Sequence, residues 1–187
     1  MMQSKAKLIF ITGGVRSGKS RYAQRIADSL NGPPVYYIAT LVPGDEEMRA
    51  RVAEHRQRRP ASWITIEEDC DPARTIKEYD QAGAVFLIDC LTILVNNLMF
   101  SAGAQPEEGE ILARVEDLAR TAYEAGATVI IVSNEVGGGI VPADPMSRAF
   151  RDTLGRANQI VARMADEVYL CVAGLAVELK SGSDRGQ

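Results

Sequence analysis

KLIFITGGVRSGKSRYAQRIADSLNG, residues 7–32, decides how the whole chain is read. KLIFITGG is a short apolar run that ends in glycines, the pattern of a buried strand stopping at a tight turn. From Ser17 onward the period changes. Tyr22, Ala23, Ile26, Ala27 and Leu30 recur at helical spacing, and Asn31-Gly32 ends the helix. Between strand and helix, Gly13-Gly14-Val15-Arg16-Ser17-Gly18-Lys19-Ser20 satisfies the spacing G-x-x-x-x-G-K-S. The amides of such a loop can turn inward and cradle phosphate oxygens, and the helix N-terminus adds a favourable field. Lys19 can then reach the β and γ phosphates of a nucleoside triphosphate, and Ser20 can ligate its magnesium ion. A glycine-rich turn can match this spacing by chance, but the strand before it and the helix after it argue against that.

Outward from this unit the same alternation continues. VYYIAT (35–40) reads as a strand and DEEMRARVAEHRQRRP (45–60) as a helix with acids at its start and arginines towards its end, as the helix dipole favours. WITIEE and AVFLIDC read as strands, with a helix from Pro72 to Tyr79 between them. LTILVNNLMF reads as a mostly buried helix, SAGAQPEEGE as a surface loop, and ILARVEDLARTAYEAG as an amphipathic helix. ATVIIVSNEVGGG is a strand running into a glycine-rich loop. Met146 to Met164 is helical, with Gly155 marking a place where it can break. EVYLCVAG and LAVELK are a terminal strand pair around Gly174, and SGSDRGQ, after about residue 181, is expected to be a disordered tail. Strands that are nearly all apolar, alternating with helices, predict an α/β fold whose sheet is covered on both faces. No composition shift divides residues 1–187, so one phosphate-loop nucleotide-binding domain is expected.

The 187 residues suffice for a sizeable core, and the formal net charge of -4 gives no global reason to expect a nucleic-acid partner. No apolar run is long enough to cross a bilayer, and the N-terminus leads directly into the first strand, so a cytoplasmic protein is expected. Cys70, Cys90 and Cys171 are widely spaced and odd in number, which predicts free thiols, with Cys90 and Cys171 buried.

Other residues extend the phosphate chemistry. Asp89, at the end of a strand, is placed to hold magnesium through water, although many core strands end in Asp simply to cap a turn. His55 is the only histidine, and with one histidine no Ser-His-Asp triad and no zinc cluster is expected. A lone histidine in a charged helix is ordinarily a solvated surface residue. Here it continues the stripe of Met48, Val52 and Arg59 and lies among Arg49, Arg51, Arg56, Arg58 and Arg59. Those guanidiniums attract phosphates and disfavour imidazolium, and a neutral imidazole is a nucleophile. SNEVGGGIVP (133–142) carries three successive glycines that let a backbone approach a ligand, with Asn134 and Glu135 facing the crevice at the strand ends. Arg148, Arg151 and Arg156 follow, positioned for phosphate or for an acidic neighbour.

Together, TGGVRSGKSRYA, YIAT, DEEMRARVAEHRQRRPASW, LIDCLT, NNLMF, SNEVGGGIVP, FRDTLGRANQ and ADEVYLCVAGLAVELK resemble, in order and over nearly the whole chain, the bifunctional cobinamide kinase / cobinamide-phosphate guanylyltransferases of cobalamin biosynthesis. The phosphate loop alone is weak evidence for that family; SNEVGGGIVP with the HRQRRP segment is specific. The resemblance implies a RecA-like P-loop NTPase fold, with a mostly parallel sheet of about seven strands, one antiparallel strand near the C-terminus, helices on both faces, and a trimer. It implies that ATP or GTP phosphorylates the aminopropanol hydroxyl of adenosylcobinamide. His55 then attacks GTP, releases pyrophosphate and passes GMP to adenosylcobinamide phosphate, giving adenosylcobinamide-GDP. By the same resemblance Gly13 to Ser20 bind phosphates, Ala39, Thr40 and Leu41 border the nucleotide, and Arg56, Arg58 and Arg59 form the basic segment. Glu67 or Glu68 contacts guanosine, and Ser20 and Asp89 hold Mg2+. Val15 stands where Ala is usual, and Glu54 where some members carry a second histidine. Three other readings use the same residues: a small-alcohol kinase without a covalent histidine, a regulatory nucleotide-binding module, and a family member retaining one activity.

Overall fold

A computed structural model of the chain describes residues 6–30, 34–41, 46, 59–100 and 106–182. The expected helix carrying His55, Arg56 and Arg58, and the tail beyond residue 182, lie outside these residues.

The chain order is β1 (Leu8–Gly13), α1 (Lys19–Ser29), β2 (Val35–Ala39), β3 (Ile64–Glu67), α2 (Pro72–Tyr79), β4 (Val85–Asp89), α3 (Leu91–Phe100), α4 (Glu108–Glu124), β5 (Thr128–Asn134), α5 (Pro145–Met164), β6 (Glu167–Val172) and β7 (Leu175–Lys180). The seven strands form one sheet in the order β3-β2-β4-β5-β1-β6-β7. Every neighbouring pair is parallel except β6 and β7. The expected α/β sheet with one antiparallel strand near the C-terminus is therefore present.

Because side chains alternate along a strand, β1 feeds two cores. Leu8 and Phe10 join Phe86, Ile88, Val129 and Ile131 on one face, beneath α2, α3, α4 and α5. Ile9 and Ile11 join Leu87, Ile130 and Val132 on the other, beneath Ala23 and Ala27 of α1. Strands apolar on both faces require such double cover, and helices lie on both faces. Cys90 and Cys171 are buried and all three thiols are free, as expected. Trp63 packs partly buried against the α1-side core. No helix among the described residues is long and apolar enough to cross a membrane.

Two boundaries differ from the sequence reading. The stretch read as a loop through Glu110 already joins α4 at Glu108, where Glu108 and Glu110 occupy the first turn and complement the helix dipole. The helix after the glycine loop is unbroken at Gly155. Asp144 caps α5 by accepting from the Ser147 amide, Pro145 occupies its first turn, and Leu154, Ala157, Asn158 and Val161 bury its inner face. Packing on that face outweighs the helix penalty of one glycine, which is only about 0.5–1 kcal/mol.

A Cβ built on Gly155 meets nothing within 4 Å. Gly155→Ala is therefore expected to stabilise the protein by about 0.5–1 kcal/mol, read as a higher urea midpoint with an unchanged slope.

Candidate functional site

In a parallel sheet the carboxyl ends of the strands share one edge, and ligands bind in the crevice outside it. β1, β2, β4 and β5 bring Gly13, Ala39, Asp89 and Asn134 to that edge.

The loop after β1 is shaped by backbone contacts. Arg16 (φ 57°) and Gly18 (φ 94°) turn it through the left-handed region. The Ser17 amide donates to the Gly14 carbonyl at 3.2 Å, and the Tyr22 amide to the Gly18 carbonyl at 2.9 Å, which starts α1. Behind the loop lies the β6–β7 turn, where the Gly174 amide donates to the Ser17 carbonyl at 2.9 Å. A Cβ on Gly13 would drive into the Cys171 carbonyl oxygen and lie 2.7 Å from Ser17 Oγ, and one on Gly18 would lie 3.0 Å from Gly174 Cα. Gly14 has open space around it, and Val15 is exposed. On the other flank the Glu135 amide donates to the Gly13 carbonyl at 3.1 Å.

Lys19 Nζ donates to the Gly14 carbonyl at 3.2 Å, across the mouth of the loop. Burial pushes its amine below the usual range, while Cys90, Asp89 and Cys171 nearby favour the charged form. Ser20, in the first turn of α1, offers a hydroxyl, and Asp89, at the tip of β4, a carboxylate. Asp89 Oδ2 accepts from Tyr37 Oη at 3.0 Å. A hydroxyl and a carboxylate are the hard oxygen donors that Mg2+ takes when substrate phosphates complete its shell. Among the described residues no cluster of three or more His, Cys, Asp or Glu suits a metal. Ser17 Oγ and Thr12 Oγ1 are buried beside the loop without a hydrogen-bond partner.

Arg59 opens the described part of the chain after the histidine segment. Its guanidinium lies over the Tyr37 ring at 3.6 Å from the centroid, and Nη1 donates to Thr65 Oγ1 at 3.0 Å. Tyr37 thus stands between Arg59 and Asp89, and burial pushes its hydroxyl far above the usual tyrosine range, so it remains a donor. Nothing in the sequence singled out Tyr37, because its neighbours lie far along the chain.

The remaining candidates separate. Thr40 is fully buried. Its hydroxyl donates to the Cys90 carbonyl at 2.9 Å and accepts from the Cys90 amide at 2.8 Å, and its carbonyl accepts from Asn97. It pins β2 to β4, with Ala39 before it and Leu41 after it. Burial pushes the adjacent Cys90 thiol up to about 11. Glu68 accepts from the amides of Cys70 and Asp71 and from Arg74 Nη2. Partial burial opposes its ionisation, but the Asp71 and Cys70 amides and Arg74 outweigh that and hold the carboxyl below its usual range. Glu67 ends β3 exposed. Beyond β5, Arg151 donates to the Gly137 carbonyl at 2.6 Å and Arg148 to those of Pro142 and Ala143, so both hold the glycine-rich loop. Arg156 pairs with Glu108 of α4.

The family model for cobinamide kinase / cobinamide phosphate guanyltransferase matches residues 9–179. The bifunctional adenosylcobalamin biosynthesis protein CobP of Pseudomonas aeruginosa is 44% identical over 170 residues, covering 91% of this chain and 95% of that protein. The bifunctional adenosylcobalamin biosynthesis protein CobU of Escherichia coli is 40% identical over 183 residues, covering 92% and 99%. Among solved structures, the Pyrococcus horikoshii OT3 protein of Project ID PH0250 superposes with TM-score 0.60 at 8% identity, covering 97% of this chain and 90% of that one. The ATP synthase subunit NeqB of Nanoarcheaum equitans gives 0.55 at 14% identity, covering 89% and 47%. At such identities these two likenesses speak for the fold alone.

Gly13 tolerates no side chain, because the atoms it would meet include backbone. Gly13→Ala is expected to weaken nucleotide binding at least about tenfold, read by titration with a fluorescent nucleotide, while Gly14→Ala, with open space around it, changes it far less.

Proposed function

The chain belongs to the cobinamide kinase / cobinamide phosphate guanyltransferase family, and from that premise we propose how its residues divide the two reactions. It is a bifunctional enzyme of cobalamin biosynthesis, with nucleotides and cobinamide as substrates.

In the kinase step, ATP or GTP lies with its phosphates against the amides of Gly13 to Ser20, and Lys19 holds the β and γ oxygens. Ser20 and Asp89 would hold Mg2+, which when bound would neutralise charge on the transferring phosphoryl group. The acceptor is the aminopropanol hydroxyl of adenosylcobinamide.

In the second step the neutral His55 imidazole attacks the α-phosphorus of GTP. A nitrogen–phosphorus bond forms, the α,β-bridging bond breaks, and pyrophosphate leaves. A phosphate oxygen of adenosylcobinamide phosphate then attacks the same phosphorus, releasing His55 and giving adenosylcobinamide-GDP. Arg56, Arg58 and Arg59 offset charge on the triphosphate as it reacts. Ala39 and Leu41 border the nucleotide, with Thr40 fixing their path. Of the two candidate acids, Glu67 is assigned to guanosine, because the Glu68 carboxylate already accepts from two amides and an arginine.

The observation that carries this reading is the position of Arg59. It ends the segment bearing His55, and it stacks on the tyrosine whose hydroxyl reaches Asp89. Arg59 is thereby one tyrosine removed from Asp89 at the tip of β4, which supports the reading. Three free thiols favour a cytoplasmic setting.

Incubation with Mg2+ and GTP labelled at the α or the γ phosphate, followed by denaturation, tests the covalent step. Label from α-labelled GTP only, lost in acid, kept in alkali and absent from His55→Ala, is expected. No label under conditions where nucleotide binding is intact would leave a phosphate-loop kinase without the covalent histidine.

A homotrimer is also proposed. Leu175, Val177 and Leu179 of edge strand β7 are all more than half exposed, and Val172 is exposed on β6. Such an edge invites a protein contact. Val177→Glu is expected to shift the mass measured by light scattering from trimer to monomer; an unchanged trimer would place the contact elsewhere.

A further inference from the structure

β5 lies between β4, which ends in Asp89, and β1, which ends in the phosphate loop. Its last residue, Asn134, is the register partner of Gly13. The side-chain oxygen Asn134 Oδ1 is buried and has no hydrogen-bond partner. An unpaired buried acceptor is costly, so in a folded protein it calls for an explanation.

The surroundings sharpen the point. The Asn134 amide N–H donates to Thr92 Oγ1 at 2.7 Å, and the Asn134 carbonyl accepts from Asn158 Nδ2 at 3.0 Å. Ser133 Oγ donates to Asn158 Oδ1 at 2.6 Å and lies 3.3 Å from Thr92 Oγ1. Three polar side chains from α3, β5 and α5 thus hold the Asn134 main chain on both sides. The next residue ties to the loop through the Glu135 amide and the Gly13 carbonyl. The scaffold fixes where Asn134 sits, yet leaves its side-chain oxygen without a donor. An amide oxygen accepts and repels phosphate oxygens, whereas the alcohol of a second substrate brings a donor of the kind it lacks.

We infer that Asn134 is a catalytic residue of the kinase step: its Oδ1 accepts a hydrogen bond from the acceptor alcohol and holds that hydroxyl in line with the γ-phosphorus. This rests on the phosphate-loop reading above. The hydroxyl oxygen bonds to the γ-phosphorus, and the β,γ-bridging bond breaks with its electron pair leaving on the nucleoside diphosphate. The hydroxyl proton passes to an oxygen of the transferred phosphoryl group. The neutral amide orients the proton and does not take it. Holding the attacking oxygen within a fraction of an ångström is the kind of positioning whose loss costs about a hundredfold in rate.

The test uses the full chain with Asn134→Ala and the similarly sized Asn134→Leu, with Lys19→Ala alongside. The expected result for both Asn134 variants is kcat for phosphorylation of cobinamide by ATP lowered about a hundredfold, with Kd for a fluorescent ATP analogue within about twofold. Their melting temperatures are expected to equal or exceed that of the parent, since an unpaired acceptor has been removed. Unchanged kcat would overturn the inference. So would a rise in Kd with kcat preserved, which would put the amide on the phosphates, or a lower melting temperature in both variants, which would make Asn134 structural. Lys19→Ala that still binds nucleotide and transfers phosphate would remove the phosphate-loop reading and this inference with it. Lys19→Ala inactive beside normal Asn134 variants would remove the inference alone.

Discussion

The nucleotide crevice depends on backbone meeting backbone. The phosphate loop rests on the β6–β7 turn with no side chain between them at Gly13, Gly18 and Gly174. The contact is closed by the bond from the Gly174 amide to the Ser17 carbonyl. A loop whose amides face inward leaves its carbonyls facing outward, and each buried carbonyl needs a donor. Gly174 supplies one behind the loop and Glu135 another at its flank. Glycine at positions 13 and 18 keeps the loop close against its support. The antiparallel pair at the sheet edge therefore does more than cover β1; it sets the shape of the site.

The same logic orders the rest of the crevice. Thr40 bridges β2 to β4 through both its hydroxyl bonds with Cys90, which aligns the tips on which Ala39 and Asp89 sit. Thr92, Ser133 and Asn158 do the equivalent at β5. On the opposite edge of the sheet the Leu8 amide donates to the buried Asp166 carboxylate. The hydroxyls of Thr40, Thr92 and Ser133, the Asn158 amide and the Asp166 carboxylate are all engaged in these networks, which fix geometry more than they add stability.

The sheet and its covering helices were legible because most strands are short apolar runs bounded by turn residues, and helices such as α1 and α4 show a clear apolar stripe. Gly13 to Ser20 were legible because their spacing sits between such a strand and helix. The start of α4 and the continuity of α5 through Gly155 were not, since tertiary burial of Leu154 and Ala157 overrides a local breaker. The support of the loop by Cys171 and Gly174 was also invisible, because those residues follow it by more than 150 positions and carry no local signal. Tyr37 was hidden in a strand that reads as core. The choice between Glu67 and Glu68 was open in the sequence and turns on hydrogen bonds that only the fold supplies. His55, Arg56 and Arg58, the residues that the sequence made most distinctive, lie outside the described residues, so their roles rest on resemblance and on the position of Arg59.

The contact between Ser17 and Gly174 also bears on how the protein is made. Chains grow from the N-terminus, and the earlier parts begin to organise while later ones are still being added. β1 and α1 emerge early, but the turn that braces the loop between them is added after five further strands. Until then the loop lacks both its backing and its donor at Ser17. The loop therefore gains its full support only once the chain has been made through Gly174.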